Sequence, residues 1–200
     1  MAGEPGWEQT DEALLLHYRA SGERGAFDQL VHRYEREIYS YLCRYLGDPQ
    51  MAEDAFQGTF LQVHLKCDQF EDGRRLRPWL YTIATNQAID LQRKNKRHRM
   101  VSLDGAGRSD DETIGALVEL LESDQSAPID DLETKERQEW VQRSIDELPE
   151  HLRSVVLLVY FQGIKYREAA ETLSIPVGTV KSRLHSALLK LSQAWQTSEL

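Results

Sequence analysis

The stretch GIKYREAAETLSIPVGTVKSRLHSALLKL at 163–191 contains two short segments with helical periodicity, separated by a short break. In the first segment, apolar residues share one face of a helix, at Tyr166, Ala169, Ala170 and Leu173. Pro176 suits the first turn of a new helix, because its missing N–H has no helical partner there. The second segment then turns five apolar residues inward, at Val180, Leu184, Ala187, Leu188 and Leu191. The stretch therefore predicts a helix-turn-helix.

The outward face of the second helix carries hydrogen-bond donors and cations but no carboxylate. This face, with the two basic residues that flank the apolar stripe, comprises Gly178, Thr179, Lys181, Ser182, Arg183, His185 and Ser186. Helix-turn-helix units place such a helix in the major groove, where hydroxyls and basic side chains contact base edges and phosphates. The pattern favours DNA binding, and two packed helices of an ordinary helical domain are the alternative.

Length and composition fit a protein with one large or two small domains, since the chain has 200 residues and is 40% hydrophobic. It has no apolar run long enough to span a membrane and no start typical of a signal peptide, so we expect a cytoplasmic protein. Cys43 and Cys67 lie far apart and form no C-x-x-C pair, which argues against a disulfide framework or structural zinc. His64 shares a helical face with Cys67, but two ligands do not make a metal site.

The net charge of −9 is unevenly distributed along the chain. Residues 104–139 carry the whole excess, whereas 74–99 holds eight basic residues against one acid, Asp90. Such a local concentration of positive charge is typical of a polyanion-binding surface. The helix dipole alone would also favour cations at the end of a helix. However, Trp79 and Tyr81 stand beside three arginines, a pairing that holds unstacked single-stranded bases.

Apolar periodicity predicts one helix that begins at Thr10. It predicts further helices over 26–46, 50–67, 79–96, 130–147 and 150–162. The tyrosines at helical spacing in 26–46 are assigned to the core. Asp68 to Pro78 is predicted to be a loop. Residues 1–9 are expected to be disordered, and 101–128 to be a flexible acidic segment with one helical turn at 114–121. The predicted fold class is all-α, with helical domains over 10–99 and 130–195 joined by an acidic linker over 100–129.

Three motifs, in this order, resemble the extracytoplasmic-function (ECF) group of bacterial sigma factors, the short RNA polymerase initiation subunits made only of regions 2 and 4. The pattern A-E-D-x-x-Q-x-x-F-x-x-V stands at 52–63, and W-L-Y-x-I-A-x-N-x-x-x-D stands at 79–90. An L-P-x-x-L-R start at 148–153 precedes the helix PVGTVKSRLHSA at 176–187. The resemblance implies a region 2 bundle and a region 4 helix-turn-helix. It also implies a protein that directs core polymerase to specific promoters and aids DNA opening.

The resemblance further implies roles for individual residues. Core polymerase would bind the helix around Glu53, Asp54, Gln57, Phe60 and Leu61. The −10 element would be recognised and opened by Arg74, Arg75, Arg77, Trp79, Asn86, Arg93 and Lys94. The −35 element would be contacted by the outward face of the helix at 176–187. The implied partners are core RNA polymerase and promoter DNA, and an anti-sigma protein is a further candidate; no catalytic residue, metal or cofactor is predicted.

Three positions depart from the usual family pattern. Gly58 stands where glutamate is common, Lys165 where serine or threonine often caps a helix, and Ser186 where arginine is frequent. The last departure would shift the −35 preference or weaken a phosphate contact.

Two other classes of function are alternatives to a sigma factor. A free-standing helix-turn-helix regulator would account for 163–191 but would leave the basic and aromatic residues of 74–99 without a role. An enzyme would use Glu53 with Asp54, or His64 with Cys67. The sequence shows neither a nucleophile with its base and orienting group nor a phosphate-binding loop.

Overall fold

The computed structural model describes residues 10–98 and 140–198, with side chains placed for 10–95 and 140–195. Within these two ranges the secondary structure is helical and no strand is present, which confirms the predicted all-α class. Several predictions concern residues outside the described ranges. These are the interpretations of 1–9 and of 100–129, the start of the helix over 130–147 and the end of the basic run. The two described ranges are called below the N-terminal bundle and the C-terminal domain.

The first two helices of the N-terminal bundle begin and end where local sequence signals place them. Helix α1, Asp11–Ser21, begins as predicted at Thr10, whose hydroxyl accepts a hydrogen bond from the Ala13 amide at 3.2 Å. It ends at Gly22, which adopts the left-handed conformation with φ of 68°. Helix α2, Arg24–Leu46, begins two residues earlier than predicted and ends at Gly47.

Helix α3, Pro49–Lys66, follows α2 after a single turn. The carboxylate of Asp48 accepts hydrogen bonds from the amides of Gln50 and Met51 at 2.8 and 3.1 Å, and so caps the helix. Pro49 occupies the first position, where it lacks only an N–H that would have no helical partner.

The segment predicted as a loop from Asp68 to Pro78 is shorter in the structure. A 3₁₀ turn covers Cys67–Gln69, and helix α4, Leu76–His98, already includes Pro78 in its first turn, where proline is tolerated. Helix α1 fixes this connection. The amide of Leu76 donates to the carboxylate of Glu12 at 2.9 Å, and Arg19 donates to the carbonyl of Phe70 at 2.8 Å.

Tyrosines fill much of the core of the N-terminal bundle, as predicted from their spacing. Tyr41 and Tyr45 are almost completely buried, and the Tyr41 hydroxyl lies 2.7 Å from the Thr85 hydroxyl in the interior. The Tyr34 hydroxyl donates to Asp11 at 2.7 Å, which joins α2 to α1. A buried polar group is costly unless it is hydrogen-bonded, so these pairs let phenols serve as core residues.

The C-terminal domain begins with a helix over 140–146, here α5, followed by helix α6, Glu150–Val156. Helix α6 continues into a π-helical turn, Leu157–Phe161, in which the Gln162 amide donates to the Leu157 carbonyl at 3.1 Å. Gly163 ends this segment with φ of 60°, as the sequence predicted. The predicted inward residues Val155, Val156 and Leu158 are fully buried.

The helix-turn-helix consists of α7, Tyr166–Leu173, and α8, Val177–Ser198. All five residues predicted to point inward from α8 are buried, from Val180 to Leu191. Ser174 turns the chain with φ of 53°, a left-handed conformation that is uncommon for serine. Tyr166 was predicted to lie on the apolar face of α7, but it is 39% exposed. Tyr166 is the first residue of α7 and lies at the edge of the packed face of that helix.

Candidate polymerase and nucleic-acid interfaces

The outer face of α3 carries four of the five residues predicted to bind polymerase. Glu53, Asp54, Gln57 and Leu61 are exposed, and the Gln57 side chain donates to the Glu53 carboxylate at 2.9 Å, one helical turn away. The face therefore combines negative charge with exposed apolar surface, since Leu61 is 56% exposed.

Phe60 does not belong to this face. It is only 7% exposed and packs against Phe56 and Phe27, with ring centroids 5.1 and 6.5 Å apart. Its predicted role as a direct contact was wrong, because Phe60 lies on the side of α3 that faces the core. Leu65 was not predicted from the sequence; it is 60% exposed and lies one turn beyond Leu61. Spacing of i, i+4 from Leu61 was the available signal. The α3 docking face is therefore defined as Glu53, Asp54, Gln57, Leu61 and Leu65.

Asn86 and Arg93, two of the predicted −10 residues, lie exposed on the same side of α4. Both line a cleft of about 540 Å³, whose other residues include Gln62 and Lys66 from α3. Arg93 also lies 3.8 Å from the carboxylate of Asp90. Lys94 is exposed as well, but it lines a different depression, between α4 and the start of α3.

Trp79 and Tyr81 are core residues, and the interpretation of this pair as a stacking platform for bases was wrong. Trp79 is 7% exposed and packs edge-on against Phe70 at 5.2 Å, while Tyr81 is fully buried beside Tyr41 at 5.0 Å. Burial raises the pKa of the Tyr81 phenol far above its usual value, and the charge of Glu37 raises it further. The hydroxyl therefore stays protonated as a donor within the fold.

The three arginines near the start of α4 are in different environments. Arg74 and Arg75 lie in the connection before the helix, with side chains 38% and 69% exposed. Arg77, inside the first turn of α4, donates to the Glu37 carboxylate at 2.8 Å and, through Nη1, to the Gln162 carbonyl at 2.7 Å. The −10 surface is therefore defined as Arg74, Arg75, Asn86, Arg93 and Lys94.

The −35 face of α8 is arranged as the sequence predicted. Gly178, Lys181, Ser182, His185 and Ser186 are exposed, and Thr179 and Arg183 are half-buried at its margins. The Ser182 hydroxyl donates to the Thr179 carbonyl at 3.1 Å within the helix. The −35 face is defined as these seven residues. Cations and hydroxyls that point away from a packed helical core are what a duplex-contacting helix requires.

The departures at Gly58 and Lys165 have local structural explanations. A Cβ atom on Gly58 would lie 2.6 Å from the side-chain oxygen of Gln87, so α3 and α4 approach closely at this point. The backbone amide of Lys165 donates to the carboxylate of Glu168 at 3.1 Å, which supplies a helix-capping bond without a serine or threonine. Ser186 is exposed, and nothing in the structure explains its difference from arginine.

The described part of the chain also contains cysteine and histidine side chains that could serve other kinds of site. Cys43 and Cys67 are not joined by a disulfide, and the His64 ring is hydrogen-bonded to the Tyr18 hydroxyl at 2.6 Å. Within 10–98 and 140–198, no group of three or more His, Cys, Asp or Glu side chains is placed to hold a metal ion. No helix in those ranges is long and apolar enough to cross a membrane.

Two protein-family models match the chain, one in its N-terminal part and one in its C-terminal part. Residues 30–98 match the model of Sigma-70 region 2, and residues 138–191 match that of Sigma-70, region 4. The ECF RNA polymerase sigma factor SigW of Bacillus subtilis (strain 168) is 35% identical over 164 residues, which cover 82% of this chain and 86% of SigW. The ECF RNA polymerase sigma-E factor of Escherichia coli (strain K12) is 32% identical, over 90% of this chain and 92% of that protein. The chain belongs to the ECF family of RNA polymerase sigma factors.

Two solved structures have the same fold. One is described as CnrH in complex with the cytosolic domain of CnrY. The match covers 94% of this chain and 99% of the matched chain, with a TM-score of 0.65 and 23% sequence identity. The other is the sigma factor RpoE with the anti-sigma factor NepR from Bartonella quintana, which covers 85% of this chain and 96% of that one, with a TM-score of 0.62 and 22% identity. The matches to both regions decide for a sigma factor over a free-standing regulator.

Proposed function

We propose that this ECF sigma factor uses three separate surfaces, one for each step of initiation. The α3 docking face binds core RNA polymerase, the −35 face of α8 contacts duplex DNA, and the −10 surface of α4 contacts the DNA that is opened. The protein acts in the cytoplasm as a non-catalytic initiation subunit, with core polymerase and promoter DNA as partners. An anti-sigma protein is proposed as a further partner, by analogy with the RpoE complex with NepR.

The observation that carries this proposal is the composition of the outer face of α8. Lys181, Ser182 and His185 are exposed there, whereas the opposite side of the same helix is fully packed. An amphipathic helix normally carries acids as well as bases on its solvent side, so a face without carboxylates is suited to a polyanion.

Opening DNA also requires compensation for lost stacking, about 1.4 kcal/mol per base-pair step. Because Trp79 and Tyr81 are in the core, this compensation has to come from the exposed side chains of the −10 surface. Arg75 and Arg93 supply charge for phosphates, and the Asn86 amide supplies hydrogen bonds to an extruded base.

Run-off transcription with purified core polymerase on a library of genomic fragments tests the function and identifies the promoters. We expect discrete transcripts that depend on this protein and that share two conserved upstream elements. Asn86→Ala should alter the preferred −10 sequence and should leave the −35 preference unchanged. If the purified protein fails to join core polymerase and yields no transcripts, the proposal is wrong.

A further inference from the structure

The cations of the helix-turn-helix are not paired with acids in the described part of the chain. In the N-terminal bundle, by contrast, Arg19 and Arg77 lie 3.1 and 2.6 Å from a carboxylate oxygen. Among the side chains placed for 10–95 and 140–195, no carboxylate forms such an ion pair with any of the four cations Lys165, Arg167, Lys181 and Arg183. These cations can therefore neutralise the phosphates of a nucleic acid without first breaking an internal ion pair.

Two of these four cations lie outside the −35 face, at the start of α7. Lys165 and Arg167 are exposed, and Tyr166 between them is 39% exposed. The three adjacent residues are called the α7 patch. A tyrosine between two cations suits a phosphate-binding surface, because its hydroxyl also donates hydrogen bonds to phosphate oxygens.

The two acids of α7 do not neutralise the patch. The carboxylate of Glu168 accepts a hydrogen bond from the Lys165 backbone amide at 3.1 Å and lies 3.9 Å from Arg75. The carboxylate of Glu171 lies 3.9 Å from Arg74. Since the amide at the start of α7 is already occupied by Glu168, an anion would have to bind to the side chains of the patch rather than to the end of the helix.

The geometry of the helix-turn-helix brings the α7 patch to the edge of the groove that α8 enters. Helix α7 has eight residues, so the patch lies about 12 Å along its axis from the turn that leads into α8. The major groove is also about 12 Å wide. In helix-turn-helix units, the helix that precedes the recognition helix crosses the DNA backbone. With α8 in the groove, the patch therefore reaches the phosphates that border it.

The α7 patch also offers a reason why α8 can lack a cation at position 186. Ser186 is exposed and stands where the family frequently has arginine, whereas Lys165 stands where serine or threonine is common. One exposed position of α8 has thus lost a cation, and one at the start of α7 has gained one. A hydroxyl forms hydrogen bonds but supplies no charge, so part of the phosphate neutralisation moves from α8 to α7.

We propose that the α7 patch binds backbone phosphates of the promoter duplex beside the −35 element, as a sequence-independent complement to the −35 face. The inference rests on the proposed function of α8. The patch determines how tightly the duplex is held at a given salt concentration. The −35 face determines which sequence is chosen, because phosphate contacts carry no sequence information of their own.

Salt titrations of the holoenzyme test the proposal. Lys165→Ala with Arg167→Ala is compared with the wild type on a promoter duplex recovered by run-off transcription. The slope of log affinity against log salt should become shallower by about 1.8, since each phosphate contact contributes about 0.9. Affinity should accordingly fall by up to about sixtyfold at about 0.1 M salt and converge with the wild type near 1 M. Discrimination against duplexes with substituted −35 elements should be unchanged.

A variant with the same loss of charge in the other domain is the control. Arg24→Ala with Arg36→Ala removes two exposed arginines of α2, so its net charge equals that of the α7 variant. The control should keep the wild-type salt slope. Both variants should keep the wild-type free energy of unfolding, because the substituted residues are exposed. Equal weakening by the two variants would show an effect of net charge alone and would overturn the proposal.

Ethylation interference locates the contacts on the DNA, because ethylation removes the charge of a single phosphate. The wild-type holoenzyme should be sensitive to one or two phosphates beside the −35 element to which the α7 variant is insensitive. An interference pattern shared by the wild type and the α7 variant would contradict the proposal. Loss of core polymerase affinity in the α7 variant would assign the patch to a protein partner and would overturn it as well.

Lys181→Ala with Ser182→Ala separates this inference from the proposed function. If this variant loses −35 discrimination while the α7 variant binds promoter duplex like the wild type, only the inference about the α7 patch fails. If the variant of Lys181 and Ser182 binds and discriminates like the wild type, the proposed function of α8 fails, and the inference fails with it.

Discussion

The carboxylate of Glu37 holds the guanidinium of Arg77 inside the N-terminal bundle. Its Oε1 lies 2.8 Å from Nε and 2.6 Å from Nη2 of Arg77, and the Tyr81 hydroxyl lies 2.7 Å from the same oxygen. The charge of Arg77 is therefore compensated within its own bundle. Arg75, two residues earlier, has a side chain that is 69% exposed. Two arginines that are only two residues apart in the sequence thus lie in different environments.

Arg77→Ala should act on stability, and Arg75→Ala should act on DNA binding. Loss of Arg77 leaves the partly exposed Glu37 carboxylate and the Tyr81 hydroxyl with fewer partners, which should lower the free energy of unfolding by about 1–2 kcal/mol in urea titrations. Arg75→Ala should change the free energy of unfolding by less than about 0.5 kcal/mol. It should make the holoenzyme's promoter affinity less dependent on salt, by the amount expected for one lost phosphate contact, about one unit of slope. An Arg77→Ala protein of normal stability with the same salt effect would contradict this assignment.

The exposed leucines of the α3 docking face should determine affinity for core polymerase. Leu61→Ala with Leu65→Ala should weaken binding by roughly tenfold to a hundredfold, because each leucine loses apolar area buried only in the complex. Both side chains are exposed in the free protein, so its unfolding free energy should hardly change. Phe60→Ala is the contrasting variant, which should unfold more easily by about 3–5 kcal/mol. Equilibrium binding to purified core and urea denaturation distinguish the two effects, and a double variant with unchanged core affinity would exclude this face.

Gly58 is expected to be constrained by the Gln87 side chain rather than by the backbone. Gly58→Ala gains about 1 kcal/mol of helix propensity but places a Cβ atom 2.6 Å from the Gln87 side-chain oxygen, which has to move. We therefore expect a net change near zero in the wild-type chain and a stabilisation of about 0.5–1 kcal/mol in a Gln87→Ala background. A double-mutant cycle by denaturant titration measures this difference. Equal effects in both backgrounds would show that the side chain does not limit this site.

Alkaline pH should unfold the N-terminal bundle steeply. Burial raises the pKa values of four phenols above the usual value near 10. These phenols are Tyr34, Tyr41, Tyr45 and Tyr81. Below pH 10 the phenols are protonated in both the folded and the unfolded chain, so the free energy of unfolding is unaffected. Above pH 10 the unfolded chain loses these protons first, and the free energy of unfolding should fall by about 1.4 kcal/mol per pH unit for each phenol. Circular dichroism as a function of pH, with phenolate absorbance, follows the transition. Tyr45→Phe should make it less steep, and an unchanged pH dependence in that variant would contradict the linkage.

Elements whose signals are local could be predicted from the sequence. Thr10 and Gly22 delimit α1, Gly47 ends α2, and Pro176 with its neighbours separates the two helices of the helix-turn-helix, because caps and breaks depend on a few adjacent residues. The −35 face followed from periodicity, since a helix with one packed side exposes the other. The three family motifs, likewise a property of the sequence, indicated the class of protein.

Tertiary structure alone decided which side chains of region 2 are available to partners. Phe60 and Trp79 belong to motifs that the resemblance linked to binding, but both are buried, because helix packing determines which side of an amphipathic segment is covered. The same holds for Arg77, whose partner Glu37 lies 40 residues away, and for Gln162, which lies 85 residues from Arg77. Contacts between residues so far apart in the chain leave no local pattern. They arise only when the helices have packed, and here they separate the residues that stabilise the fold from those that remain exposed.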